Sequence, residues 1–195
     1  MVCSALFGIS YYRLGSYNYP LVVLSVIIIG SVLAFLYYNL SHYTSNKIFM
    51  GDTGSMLLGF LLAFTSISFI DIFIDKNLPG IPRYHLKSAP VVAIAILILP
   101  IVDTLNVIII RLINKKSPFD ADKNHIHHRL LRLNLSHRRS SGYIILYYLF
   151  VVGLAYCLRH TNVNFLLFII IFSGFLGAYI PNFIYALRHI KNTKN

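Results

Sequence analysis

Few side chains in this 195-residue chain can do acid–base, phosphate or metal chemistry, and those few are grouped. One is Asp52, inside K-I-F-M-G-D-T-G-S (47–55), a short polar interruption set directly against a long apolar run. A carboxylate at the start of a helix gains from the positive end of the helix dipole. Gly51 and Gly54 would let backbone N–H groups come close to a ligand there. Magnesium takes few protein ligands and fills its shell with water and substrate phosphate oxygens, so one or two Asp residues facing a diphosphate would suit it. The plainer role for Asp52 is an N-cap of the next helix, and the two roles are compatible.

A second polar island is N-H-I-H-H-R (124–129), preceded by S-P-F-D-A-D-K (117–123). On a helix, His125, His128 and Arg129 share a face and His127 turns away. Histidine and arginine donors at a membrane surface suit phosphate oxygens and charge developing on a leaving phosphate. The H-x-H pair also has the form of a zinc ligand pair, but no Cys or Glu lies nearby to complete a tetrahedral set. A solvated basic face is the third reading. Asp103 lies deeper, inside an apolar segment, with Thr104 and Asn106 close by. An intramembrane carboxylate is functional by default, because burial in hydrocarbon is expensive without a partner; a hydrogen-bonded contact between helices is the alternative. Lys47 is either a membrane anchor or a phosphate contact, and His137, Arg138 and Arg139 suit headgroup anchoring.

The elements that must position these groups are greasy ones. The hydrophobic set makes up 57% of the chain, charged residues 12%, and the mean hydropathy is +0.69. A soluble domain carries about a quarter charged residues, so this is an integral membrane protein. Seventeen Lys and Arg face six Asp and no Glu, a net charge of +11. Basic residues collect in membrane-flanking loops, so anionic headgroups or phosphorylated substrates are the expected partners and nucleic acid is not. Cys3 and Cys157 have neither metal-like nor redox-like spacing and read as plain buried side chains.

The expected fold is all-α: a polytopic helix bundle with about five full spans and an N-terminal partial helix, in one transmembrane domain over 1–195. The spans are 21–38, 53–70, 89–110, 143–158 and 164–187, with Pro100 a kink point in the third. Residues 1–12 are apolar but too short to cross, since a crossing needs about twenty residues, and read as the second half of a span. The loop 111–142 carries eight Lys and Arg and holds a short helix around 127–133. Alternating outward from it places twelve basic residues on one side and five on the other, which makes the loop cytoplasmic. Both polar islands then fall on that same face.

Taken together, K-I-F-M-G-D-T-G-S (47–55), L-P-I-V-D-T (99–104) and S-P-F-D-A-D-K-N-H-I-H-H-R-L (117–130) closely resemble the polyprenyl-phosphate N-acetylhexosamine-1-phosphate transferases, glycosyltransferase family 4. That family includes bacterial enzymes that start O-antigen, teichoic acid and peptidoglycan lipid intermediates. The H-I-H-H form resembles the branch using UDP-N-acetylglucosamine or a similar UDP-N-acetylhexosamine, in the manner of undecaprenyl-phosphate GlcNAc-1-phosphate transferases. The resemblance implies a catalytic Asp52 that ligates Mg2+ (or Mn2+), and a second catalytic candidate in Asp103, at a family position less firmly tied to chemistry. It also implies that Lys47, His125, His127, His128 and Arg129 bind substrate, the last four at the nucleotide sugar's diphosphate. The implied reaction gives a polyprenyl-diphospho-sugar and UMP at the cytoplasmic face of the bacterial inner membrane, among membrane lipids.

The family's adjacent Asp-Asp pair and its N-x-x-D-G-x-D-G stretch are absent from this sequence. The expectation is therefore a chain inactive or nearly so by itself, whether truncated, started at an internal Met, or half of a split enzyme. Its partner would be a missing N-terminal half or a second copy in a homodimer. A non-catalytic membrane fragment that binds lipid phosphate or a partner is the alternative. An intramembrane aspartic protease built on Asp52 and Asp103 is a weaker one, since Phe49 stands where its G-x-G-D motif needs Gly. The D-T-G-S of soluble aspartic proteases belongs on a β-hairpin loop, whereas an apolar run follows here.

Overall fold

The computed structural model describes residues 1–14, 18–39, 48–74, 85–115, 117, 126–131, 133 and 135–192. They form seven helices: α1 (Val2–Leu14), α2 (Tyr19–Asn39), α3 (Gly51–Ile74), α4 (Ala89–Ile113), α5 (Ile126–Leu131), α6 (His137–Cys157) and α7 (Val163–Asn192). No strand occurs among the described residues. Five of the helices, α2, α3, α4, α6 and α7, are long and apolar enough to cross a membrane. The chain is an all-α, multi-pass membrane protein, as its composition predicts. The physical reason is that hydrocarbon offers no hydrogen-bond partner, so a spanning segment must satisfy its backbone within itself.

The helices overrun the expected spans at identifiable signals. The fourth full span begins at His137, six residues before the expected 143, because Ser136 caps it: the Ser136 hydroxyl accepts from the Arg139 N–H at 3.4 Å. The last one starts where Asn162 Oδ1 accepts from the Asn164 N–H at 3.0 Å. Pro100 lies within α4, which runs on past it to Ile113, and α7 likewise contains Pro181.

The chain divides into two compact units, Met1–Ala93 and Ile94–Asn195. In the first, the short α1 packs on α2 and α3 through Phe7 and Tyr11, both fully buried. Phe7 meets Phe69 at 5.5 Å between ring centroids, and Phe69 meets Phe73 at 4.4 Å. The Tyr11 hydroxyl donates to the Thr65 carbonyl. Gly8 faces Ser25 so closely that a Cβ would lie 2.9 Å from the serine's own; small residues let membrane helices approach this way.

The second unit is pinned by hydroxyls as well as by grease. Tyr148 donates to the Ile96 carbonyl at 2.6 Å and Tyr147 to the Ser173 carbonyl at 2.5 Å. A buried phenol needs an acceptor, and a helical carbonyl has a second lone pair to offer. Glycines admit the side chains opposite: a Cβ on Gly174 would meet Ile98 at 2.7 Å, and one on Gly177 would meet the Tyr147 ring at 2.1 Å. Large apolar side chains such as Phe60, Leu146 and Phe168 remain exposed, as expected of helices solvated by lipid.

Candidate functional site

Asp52 is the second residue of α3 and is exposed. The chain enters the helix through Gly51 at φ +67°, a left-handed conformation that costs glycine nothing and any residue with a Cβ about 1–2 kcal/mol. Ser55 Oγ donates to the Asp52 backbone carbonyl at 2.9 Å, which ties down the first turn through the main chain and leaves the carboxylate out of that bond. The result is an exposed carboxylate at the positive end of a spanning helix, a place suited to a hydrated cation or a phosphate bridged by one.

The second island is built differently. The expected short helix is present as α5, Ile126–Leu131. Its first N–H, that of Ile126, donates to Asp103 Oδ1 at 2.8 Å. Arg129, one turn later, points inward and is only 2% exposed. Its Nη1 donates to the Ala178 carbonyl at 3.1 Å. With the Asn106 amide oxygen turned toward the guanidinium, that oxygen accepts from Nη2 at 2.7 Å and from Nη1 at 2.8 Å. The Asn106 nitrogen then donates to the Tyr179 hydroxyl at 3.3 Å, and the guanidinium carbon lies 5.9 Å from the Tyr179 ring centroid. His127 is exposed, on the opposite side of α5 from Arg129 as the helical spacing predicts.

The structure thus joins Asp103 to the histidine segment within the second unit. Asp52 belongs to the first unit. Lys47 and His125 lie outside the described residues, as does the side chain of His128. Among the described residues no three His, Cys, Asp or Glu gather as a metal cage. Tyr179 is a participant that the sequence pattern does not single out, and Asn106, there only a polar neighbour of Asp103, takes a direct part. The available signal was an Asn three residues after Asp103 in an otherwise apolar helix, hence on the same face.

The second unit also holds a partly open apolar cavity of about 500 Å³. Ile126 and Leu130 of α5 line it, together with Val102, Tyr147, Val151 and Ala178 from the three long helices. The histidine helix therefore shows one face to Arg129's polar network and to this apolar cavity, and its other face, with His127, to the outside.

Comparison with known proteins bears on what such an arrangement is for. The family model described as glycosyl transferase family 4 matches residues 1–70. Decaprenyl-phosphate N-acetylglucosaminephosphotransferase of Mycolicibacterium smegmatis is 37% identical over 138 residues, 71% of this chain and 32% of the relative. A Bacillus subtilis protein named probable undecaprenyl-phosphate N-acetylglucosaminyl 1-phosphate transferase is 43% identical over 117 residues, 60% of this chain and 29% of the relative. Undecaprenyl-phosphate alpha-N-acetylglucosaminyl 1-phosphate transferase of Haemophilus influenzae is 32% identical over 141 residues, covering 71% and 36%. The chain spans about a third of the length of the curated relatives it matches. No solved structure matches it. By the family match and these relatives, whose names agree with the resemblance carried by its three motifs, the chain belongs to glycosyl transferase family 4.

Proposed function

We propose that this chain forms part of a phosphoglycosyl transferase that moves N-acetylglucosamine 1-phosphate from UDP-N-acetylglucosamine to a polyprenyl phosphate. The names of the relatives supply the acceptor and sugar classes. The observation that carries the reading onto this molecule is Asp52, an exposed carboxylate in the first turn of α3, entered through a left-handed glycine.

In the reaction an oxygen of the lipid phosphate attacks the β-phosphorus of the nucleotide sugar. The new P–O bond joins lipid to sugar phosphate as the bond from the β-phosphorus to the bridging oxygen breaks, and UMP leaves with that oxygen. Both reactants are anionic, so the first task of the protein is to lower their repulsion. Magnesium, or manganese in its place, fits a single carboxylate at a helix N-terminus because it keeps most of its shell for water and phosphate; bound at Asp52 it would supply the offsetting charge. The exposed His127, with Lys47, His125 and His128, is assigned to the diphosphate of the donor, where imidazole and ammonium donors hold phosphate oxygens. The basic residues of the loop 111–142 put this chemistry at the cytoplasmic face, by the positive-inside bias. The apolar cavity offers room for part of an isoprenoid chain, at about 30 Å³ for a group the size of a water or methylene.

The test is transfer of label. The chain is reconstituted in lipid with undecaprenyl phosphate, magnesium and radiolabelled UDP-N-acetylglucosamine, and the organic phase is counted beside an Asp52→Asn control. Little or no label from this chain alone is the expected result, and label that depends on Asp52 and on the divalent ion once a segment carrying the family's acidic motifs is supplied in trans. Label that survives Asp52→Asn would remove Asp52 from the centre of the reaction.

A further inference from the structure

We infer that Asp103, Asn106 and Arg129 are positioning residues: together they bracket α5 at two points and thereby fix where the histidine segment stands. The consequence for donor binding rests on the function proposed above; the bracket itself rests on geometry alone.

The spacing carries the argument. Asp103 and Asn106 are three residues apart on α4, so they lie on one face about one turn apart. Ile126 and Arg129 are three apart on α5 and match them in order. The first pair meets as Ile126 N–H to Asp103 Oδ1 at 2.8 Å, and the second as guanidinium to Asn106 oxygen at 2.7 and 2.8 Å. Two contacts one turn apart fix both the position and the rotation of a short helix, which a single contact would not. A six-residue helix needs this, since it is far too short to be stable by itself.

Arg129 carries the bracket on to a third helix. Its Nη1 reaches the Ala178 carbonyl in the turn of α7 that precedes Pro181. Proline there removes the N–H that would have bonded Gly177 and crowds the same turn. The carbonyl that takes the guanidinium thus stands in a weakened stretch of helix. An arginine 2% exposed and bonded to two neighbouring helices is oriented toward protein, and the donors of the bracket are directed at Asn106 and Ala178. His127, two residues before it, is exposed. Holding Arg129 inside is what turns His127 outward, because residues two apart on a helix lie on opposite sides.

Asn106 supplies the test, since it can be changed with its acceptor lost or kept. Asn106→Leu removes it at similar volume. Asn106→Asp keeps an oxygen facing the guanidinium, and the Tyr179 hydroxyl can turn from acceptor to donor. The full chain in lipid nanodiscs is read by hydrogen exchange of the 126–131 amides and, separately, by KM and kcat for UDP-N-acetylglucosamine.

The bracket predicts that Asn106→Leu and Asp103→Ala each speed exchange at 126–131 about 10- to 100-fold, the range for losing a charged hydrogen bond. Asn106→Asp should restore wild-type protection, which excludes general unfolding. Where turnover is measurable, Asn106→Leu should raise the donor KM far more than it lowers kcat. Unchanged exchange in Asn106→Leu would overturn the bracket, and so would a donor KM that responds to Arg129→Lys but not to Asn106→Leu, which would make Arg129 a substrate contact. A wild-type chain that shows the exchange pattern yet never binds the nucleotide sugar would overturn the proposed function and leave the bracket standing.

Discussion

The two polar islands look alike in sequence, each a few hydrophilic residues interrupting an apolar chain, yet the structure treats them in opposite ways. Asp52 sits at the exposed entrance of α3, and the hydrogen bond at that turn is made by its backbone carbonyl. Arg129 lies inside the second unit, with its guanidinium bonded to Asn106 and to the Ala178 carbonyl. The first island offers its charge outward, and the second uses its strongest cation to hold protein together. A charged side chain in an apolar sequence therefore says that a partner exists, without saying whether that partner is ligand or protein. The cost of burying an unpaired guanidinium forces the pairing either way.

Substitutions at both islands break or sharpen this contrast. The largest effect is expected at Asp52→Asn, with label transfer falling about 100-fold or more, because loss of a metal-binding carboxylate costs several kcal/mol of charge stabilisation in the transition state. Thermal unfolding of that variant should stay close to wild type, since the side chain is exposed at a helix end. At Arg129 the pattern reverses: Arg129→Met should lower the unfolding temperature of the reconstituted chain, because the carbonyl of Ala178 and the amide of Asn106 lose their shared donor at a cost of about 1–3 kcal/mol each. An Arg129→Met protein as stable as wild type would erase the distinction between the islands.

Smaller effects test the supports. Gly177→Ala places a Cβ 2.1 Å from Tyr147 Cε1 and should destabilise the protein by about 1–3 kcal/mol, read as earlier unfolding. Gly51→Ala keeps open space around the new methyl but forces alanine to φ +67°, so about 1–2 kcal/mol of strain should appear at the Asp52 turn, measured as weaker divalent-ion dependence of transfer. Gly59→Ala, with nothing within 4 Å and an ordinary helical backbone, should change neither and serves as the control.

Much of the fold was legible beforehand. Five apolar stretches of crossing length became five helices, and the short helix expected around 127–133 is α5, shifted to Ile126–Leu131. The early start of α6 has a local signal too, since Ser136 is a good capping residue just before the basic His137–Arg139 run. Of the site, the helical spacing of His127 and Arg129 correctly put them on different sides of one helix, but not which side faced in. Asp103 illustrates the limit best. Its sequence position allowed a catalytic carboxylate or a contact between helices, and one of its oxygens accepts from the backbone of α5.

Composition and span length alone determined that this chain is a helical membrane protein, because hydrocarbon admits few backbone solutions and a run of about twenty apolar residues selects one of them. The motif order likewise carried the family. Only the tertiary structure decided how the polar side chains are used. Arg129 and its acceptor on Ala178 are 49 residues apart, and Tyr148 and Ile96 are 52 apart. Such partners are chosen by which helix faces meet, and a side chain's own residue type and neighbours in sequence do not contain that information.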